Sequence, residues 1–205
     1  MDASELRARL AEAAIMPIMT VRSVETTLAE IGRLSEEGIG VVEIVFRTAE
    51  AAEALAEARR RFPKTLIGAG TMLGAGEVKA AVAAGAQFLV SPGLTGKLHA
   101  AVSGTGCPMI PGVLTASEVL AATELGYELM KYYPAQPSNG LAALADYANI
   151  FQGVGFVPTG KIDAGLVPQY GALRNVVAVG GSWMLGSRAP TAIGEQIAAF
   201  RKAKG

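Results

Sequence analysis

Two ionisable side chains stand inside otherwise apolar runs of this sequence. Glu43 interrupts "VVEIVF", and Lys131 interrupts "ELMKYYPA". Burying an unpaired carboxylate or ammonium costs several kcal/mol, so each needs a partner or a neutral form. Two readings fit the pair. One is a structural ion pair. The other is an amine that desolvation leaves uncharged, able to attack a carbonyl and form a Schiff base, with the glutamate moving protons beside it.

Other groups gather around these two once strand alternation is applied. With a period of two, Val41, Glu43, Val45 and Arg47 share one face, and Val42, Ile44 and Phe46 the other. Arg47 then lies roughly 13 Å beyond Glu43, at about 3.3 Å per residue. The same parity groups Leu129, Lys131 and Tyr133. Thr71 closes the run "TLIGAGT", and with Arg47 it has the chemistry to hold a carboxylate. The run "QFLVSPG" ends beside Pro92. The stretches "FVPTGK" and "VAVGGSW" end in glycine turns. Gly160, Lys161, Gly181 and Ser182 are therefore a candidate phosphate cradle, where bare N–H groups face an anion. Lys161 is also the one other amine placed at such a mouth.

The elements that position these residues repeat along the chain. Apolar runs begin at Ala14, Val41, Thr65, Gln87, Pro108, Glu128, Val154 and Asn175, separated by Ala-, Glu- and Leu-rich stretches of helical spacing. Ser23, Thr48, Thr95 and Ser138 are plausible N-caps, and Gly38, Gly85 and Gly126 plausible helix ends. Strands alternating with helices imply a parallel sheet covered on both faces. Eight such units in one 205-residue domain, residues 1–205, predict a (β/α)8 TIM barrel with an added N-terminal helix. An open dinucleotide-binding sheet would want a glycine-rich turn after the first strand, and "TVRSVETT" has none.

Composition removes other classes. The 18 basic and 18 acidic residues cancel, which leaves no footprint for nucleic acid or an anionic membrane. "MDASELRARLAEAAIMP" reads as an amphipathic helix, not a signal peptide, and no run approaches a membrane span. The single cysteine, Cys107, rules out an intramolecular disulfide and points to a reducing compartment, the cytoplasm. It lacks a neighbouring base and reads as a small buried apolar residue. His99 is the only histidine, in the helical "TGKLHAAV", which argues against a metal centre. No cofactor is expected.

The chain resembles the bacterial 2-keto-3-deoxy-6-phosphogluconate (KDPG) and 2-keto-4-hydroxyglutarate (KHG) aldolases. The likeness rests on "VVEIVFRT", "LIGAGTML", "AGAQFLVSPGLT", "IPGVLTASEV", "MKYYPAQ", "FVPTGKID" and "VGGSW", in the family's order, from about Pro17 to Ser187. The resemblance implies a class I aldolase in a (β/α)8 barrel, a homotrimer acting on a small 2-keto-4-hydroxy acid. It makes Lys131 the Schiff-base lysine and Glu43 the general acid/base. Arg47 and Thr71 would hold the pyruvyl carboxylate, and Pro92 and Tyr133 would line the pocket, Tyr133 standing where phenylalanine is usual. Gly160, Lys161, Gly181 and Ser182 match the phosphate positions. Lys161 stands where the family usually has a second glycine, and Gln136 where an acid is usual.

Overall fold

The computed structural model describes residues 1–186 and 193–205. The chain begins with helix α1 (Ala3–Ala13), followed by β1 (Ile15–Thr20), α2 (Val24–Glu36), β2 (Val41–Val45), α3 (Ala51–Arg61) and β3 (Leu66–Gly70). Then come α4 (Ala75–Ala83), β4 (Leu89–Val90), α5 (Gly96–Val102), β5 (Met109–Ile110), β6 (Gly112–Val113) and α6 (Ala116–Glu124). The chain continues with β7 (Leu129–Tyr132), α7 (Gly140–Ile150), β8 (Gly155–Pro158), α8 (Val167–Gly171), β9 (Val179–Gly181) and α9 (Ile193–Lys204).

The strands pair in parallel, as the alternation demands. One ladder has the order β5-β4-β3-β2-β1-β9 and a second the order β6-β7-β8. Two isolated parallel bridges, Phe156↔Val176 and Thr159↔Gly180, connect β8 and the turn after it to the segment around β9. The result is an α/β fold with a curled parallel sheet. The fifth apolar run does not form one strand as expected. Pro111 separates β5 from β6, because it has no N–H to give to a ladder. Its carbonyl still accepts from Lys131 N at 2.8 Å.

The curl creates two apolar layers. Val42, Ile44, Ile67, Leu89, Met130 and Phe156 pack outward against helix residues such as Ile31, Leu34 and Leu55. The alternate residues Met16, Val41, Leu66, Phe88, Leu129 and Val157 pack inward on one another. Leu6 and Leu10 of α1 join this inner layer and cover the end where the strands begin. Burying side chains of this size stabilises the fold by roughly 1.5–3 kcal/mol each. The inner layer is the dry floor on which any polar group higher on those strands must stand.

Local signals set the helix starts in part. Ser23 accepts from Thr26 N, and Thr95 from Leu98 N, each at 3.1 Å. Thr48 and Ser138 do not cap. The turn after β2 delays α3 to Ala51, so Thr48 offers only its carbonyl, and Ser138 ends a 3-10 turn before α7. A cap that sequence reading passed over is the reciprocal pair Thr115 and Glu118 at the start of α6. Gly38, Gly85 and Gly126 end helices at φ of 92°, 88° and 84°, where a side chain would be strained. Among the described residues no helix is long and apolar enough to cross a membrane.

Candidate active site

Glu43 and Lys131 rise one inward step above Val41 and Leu129 of the dry floor. Their side chains meet: Lys131 Nζ lies 3.5 Å from Glu43 Oε1. Glu43 is 0% exposed and Lys131 7%. The contact is at the long end of a hydrogen bond, so the pair is loosely joined, and Glu43 Oε2 is buried without a partner among the described residues. A buried acceptor left unmade is costly.

The space for this carboxylate comes from glycine. A Cβ at position 70 would lie 2.0 Å from Glu43 Oε1 and 2.6 Å from Cδ. Gly68, one step lower on β3, is filled in the same way by the Phe88 ring, which a Cβ would meet at 2.3 Å. Sequence reading missed Gly70 as a site residue. The signal was there in "LIGAGT", whose two glycines share the inward parity. Gly70→Ala is expected to push the carboxylate off Lys131 and lower turnover by about 100-fold through lost positioning. Overpacking should destabilise the fold by only about 1–3 kcal/mol. A circular-dichroism melt beside a pyruvate-release assay checks this; unchanged turnover in the variant would dismiss the role.

Arg47 lies past the end of β2 and is exposed, and its N–H turns back to Val45 O at 3.0 Å, so strand alternation stops short of it. Its Nε donates to Thr71 Oγ1 at 3.2 Å. Thr71 directly follows β3 with φ of 66°, a strained setting for a β-branched residue. Such strain persists where surrounding structure enforces it, and it gathers at functional sites. With Nε held by Thr71, the two terminal nitrogens of Arg47 form a fork suited to a carboxylate.

The remaining candidates form the rim. The Tyr133 ring is centred 5.5 Å from Lys131 Nζ and is 38% exposed. Pro92 is exposed on a turn that Ser91 Oγ braces by donating to Gly93 O at 2.7 Å. Gly112 lets β6 abut that turn, since a Cβ there would come 2.2 Å from the Pro92 carbonyl carbon. The bridge Thr159↔Gly180 sets the two glycine turns side by side, which groups Gly160 and Lys161 with Gly181 and Ser182. Lys161 takes φ of 54°, so it occupies the left-handed geometry that glycine would prefer. A cleft of about 410 Å³ borders Ser182 and extends past Thr20 and Arg22, two residues that sequence reading did not single out. Among the described residues no hydrogen bond joins Pro92, Lys161 or Ser182 to the Glu43–Lys131 pair.

The other reactive side chains have local occupations. Burial pushes the Cys107 thiol up to about 11, and Sγ donates to Ala86 O at 3.4 Å. His99 Nδ1 lies 3.1 Å from Tyr127 OH, with the two rings edge to face. Gln136 donates to Tyr170 OH at 2.9 Å. Among the described residues no three His, Cys, Asp or Glu side chains gather as a metal would require.

The arrangement is an amine and a carboxylate in contact above an apolar floor, with an anion fork on one side and glycine turns on another. Known proteins resemble the chain along most of its length. A family model described as KDPG and KHG aldolase matches residues 6–194. The 2-dehydro-3-deoxy-phosphogluconate aldolase of Treponema pallidum is 40% identical over 171 residues, 83% of this chain and 81% of that protein. The KHG/KDPG aldolase of Escherichia coli K12 is 34% identical over 171 residues, 83% and 80% of the two chains. A crystal structure of KDPG aldolase from Legionella pneumophila, with pyruvate captured at low pH as a covalent carbinolamine intermediate, superposes with a TM-score of 0.85. It is 33% identical, with 97% of this chain and 95% of that chain covered.

Proposed function

This chain belongs to the KDPG and KHG aldolase family, and from that membership we propose how its own residues carry out the reaction. It is a carbon–carbon lyase that cleaves KDPG to pyruvate and glyceraldehyde 3-phosphate through a lysine Schiff base. The observation that carries the assignment of roles is the 3.5 Å contact between Lys131 Nζ and buried Glu43.

Lys131 passes a proton to Glu43 and its amine attacks the C2 carbonyl of the keto acid. Glu43 gives that proton to the departing hydroxyl, and loss of water leaves an iminium, an electron sink next to C3. Glu43, through its unpartnered Oε2, takes the proton of the C4 hydroxyl. The C3–C4 bonding pair moves into the iminium, the aldehyde leaves, and an enamine of pyruvate remains. Glu43 returns the proton to C3, and water hydrolyses the resulting iminium to pyruvate and the Lys131 ammonium, which restores the starting pair. The Arg47 fork and Thr71 hold the substrate carboxylate, which keeps C2 beside the amine. Pro92 and the Tyr133 ring line the pocket, and Tyr133 supports the cationic intermediate through its ring face. The covalent carbinolamine of the Legionella relative supports the first step. Pyruvate release, assayed across phosphorylated and unphosphorylated 2-keto-4-hydroxy acids, tests the function; no release from any of them would refute it.

The glycine turns receive the phosphate of the substrate, with Gly160, Gly181 and Ser182 offering N–H groups and Lys161 its ammonium. Lys161→Gly separates two effects of opposite sign. It relieves about 1–2 kcal/mol of left-handed strain against about 0.5–1 kcal/mol of added chain entropy, so the variant should melt slightly higher. Loss of the ammonium should raise KM for the phosphorylated acid several-fold and leave kcat unchanged. An unaltered KM would remove Lys161 from the phosphate site.

The fold reading extends in the same way. We infer that the two ladders are arcs of one closed (β/α)8 barrel spanning residues 1–205 as a single domain. The bridges from β8 to the β9 segment and the one-residue break at Pro111 support it. A homotrimer working in the cytoplasm is the matching assembly. Exposed Leu73, Leu120 and Leu125 supply apolar surface for a subunit contact.

A further inference from the structure

At the end of the molecule where the strands begin, opposite Lys131, two adjoining hollows share Arg7 and Arg174 in their walls. The larger holds about 560 Å³ and adds Arg201 and Lys204 of α9 over an apolar lining that includes Ala8, Ala11 and Phe200. The smaller holds about 420 Å³ and reaches Asn175. Among the described residues no aspartate or glutamate side chain lines either hollow.

Three of the four cations are held in place with donors to spare, while Lys204 spends its three on Leu173 O, Arg174 O and Val176 O. Arg7 donates to Gly153 O at 2.7 Å, Arg174 to Asn149 Oδ1 at 3.0 Å and to Ala148 O, and Arg201 to Glu12 O. A guanidinium has five N–H donors, so most remain open. Gly155 gives the Arg7 head its room, since a Cβ there would stand 3.1 Å from Cζ. Burial, and then the charge of Arg7, hold the Lys204 ammonium below its ordinary range. A second, independent observation lies in the smaller hollow. Asn175 is 7% exposed; its Nδ2 donates to Leu144 O at 2.9 Å, yet its Oδ1 is buried without a partner among the described residues. Three guanidiniums with open donors call for an anion, and an orphan carbonyl oxygen calls for a hydroxyl donor.

We propose that these hollows form a second binding site, separate from the Glu43–Lys131 site, for a small hydroxylated organic anion. Its carboxylate or phosphate sits between Arg7 and Arg174, its hydroxyl donates to Asn175 Oδ1, and its carbon body lies over Ala8, Ala11 and Phe200. Hollows of this volume accept ligands of that class.

The test is a titration followed by amide NMR, with glycerate and glycerol 3-phosphate as the two probes, so that the arms distinguish carboxylate from phosphate. At least one probe is expected to give saturable shifts at Gly153, Asn175 and Val176. Ala8→Glu and Ala11→Glu each place a carboxylate on an exposed face of α1 without removing any existing contact. Either should weaken that binding by about tenfold or more, one charge contact being worth about 1.4 kcal/mol, and leave pyruvate release unchanged. Three results would each overturn the proposal: no saturable shift from either probe, shifts confined to Gly160, Lys161 and Ser182, or variants that bind like the parent.

Discussion

Lys131→Met should lower pyruvate release by on the order of 10⁴-fold or more, because it removes the amine that forms the iminium. Removing the nucleophile of a covalent catalyst typically costs that much or more. The change also strands Glu43. At 0% exposure its carboxylate would have lost the one cation that touches it among the described residues, and breaking a buried pair from one side costs about 3–5 kcal/mol. Stability therefore separates the catalytic reading from the structural one. The double variant Lys131→Met/Glu43→Gln should regain much of the lost stability and none of the activity. Single-variant turnover near that of the parent would contradict the assignment whatever the melting curve did.

Glu43→Gln is the second large effect, and its signature differs. The amide keeps the shape of the carboxyl group and can still accept from Lys131, but it cannot take the C4 hydroxyl proton. Loss of a positioned acid/base typically lowers the rate by about 10²–10⁴-fold. Addition of pyruvate to Lys131 needs less from this group, so reductive trapping of pyruvate should persist in the variant while cleavage of the full substrate falls. The kinetic measurement is single-turnover cleavage beside trapping yield. Equal cleavage rates in variant and parent would show that the proton moves elsewhere.

The parts of this architecture that could be read from sequence were those governed by period. Alternation placed Val41, Glu43, Leu129 and Lys131 on one face and Val42, Ile44 and Met130 on the other, and the two apolar layers follow that division. Alternation could not foresee that Pro111 would divide the fifth run, since a proline at a strand end and one inside a strand look alike in a short apolar stretch. Nor did it reveal Gly70. A glycine in a strand reads as a weak strand former until one knows which side chain occupies its missing Cβ, and here that is Glu43 from the neighbouring strand. Thr71 was legible as a hydroxyl at a strand top, but its left-handed backbone was not. The cation cluster at the far end was invisible for another reason. Arg7, Arg174 and Lys204 come from opposite ends of the chain, and each alone resembles a solvated surface charge.

The central claim is that one buried amine becomes covalently attached to the substrate. The measurement that reaches it most directly is the mass of the protein after treatment with pyruvate and borohydride, followed by peptide mapping. The account predicts one reduced pyruvyl group per chain, carried on Lys131. An unmodified Lys131 peptide, or the group found on Lys161 instead, would contradict it.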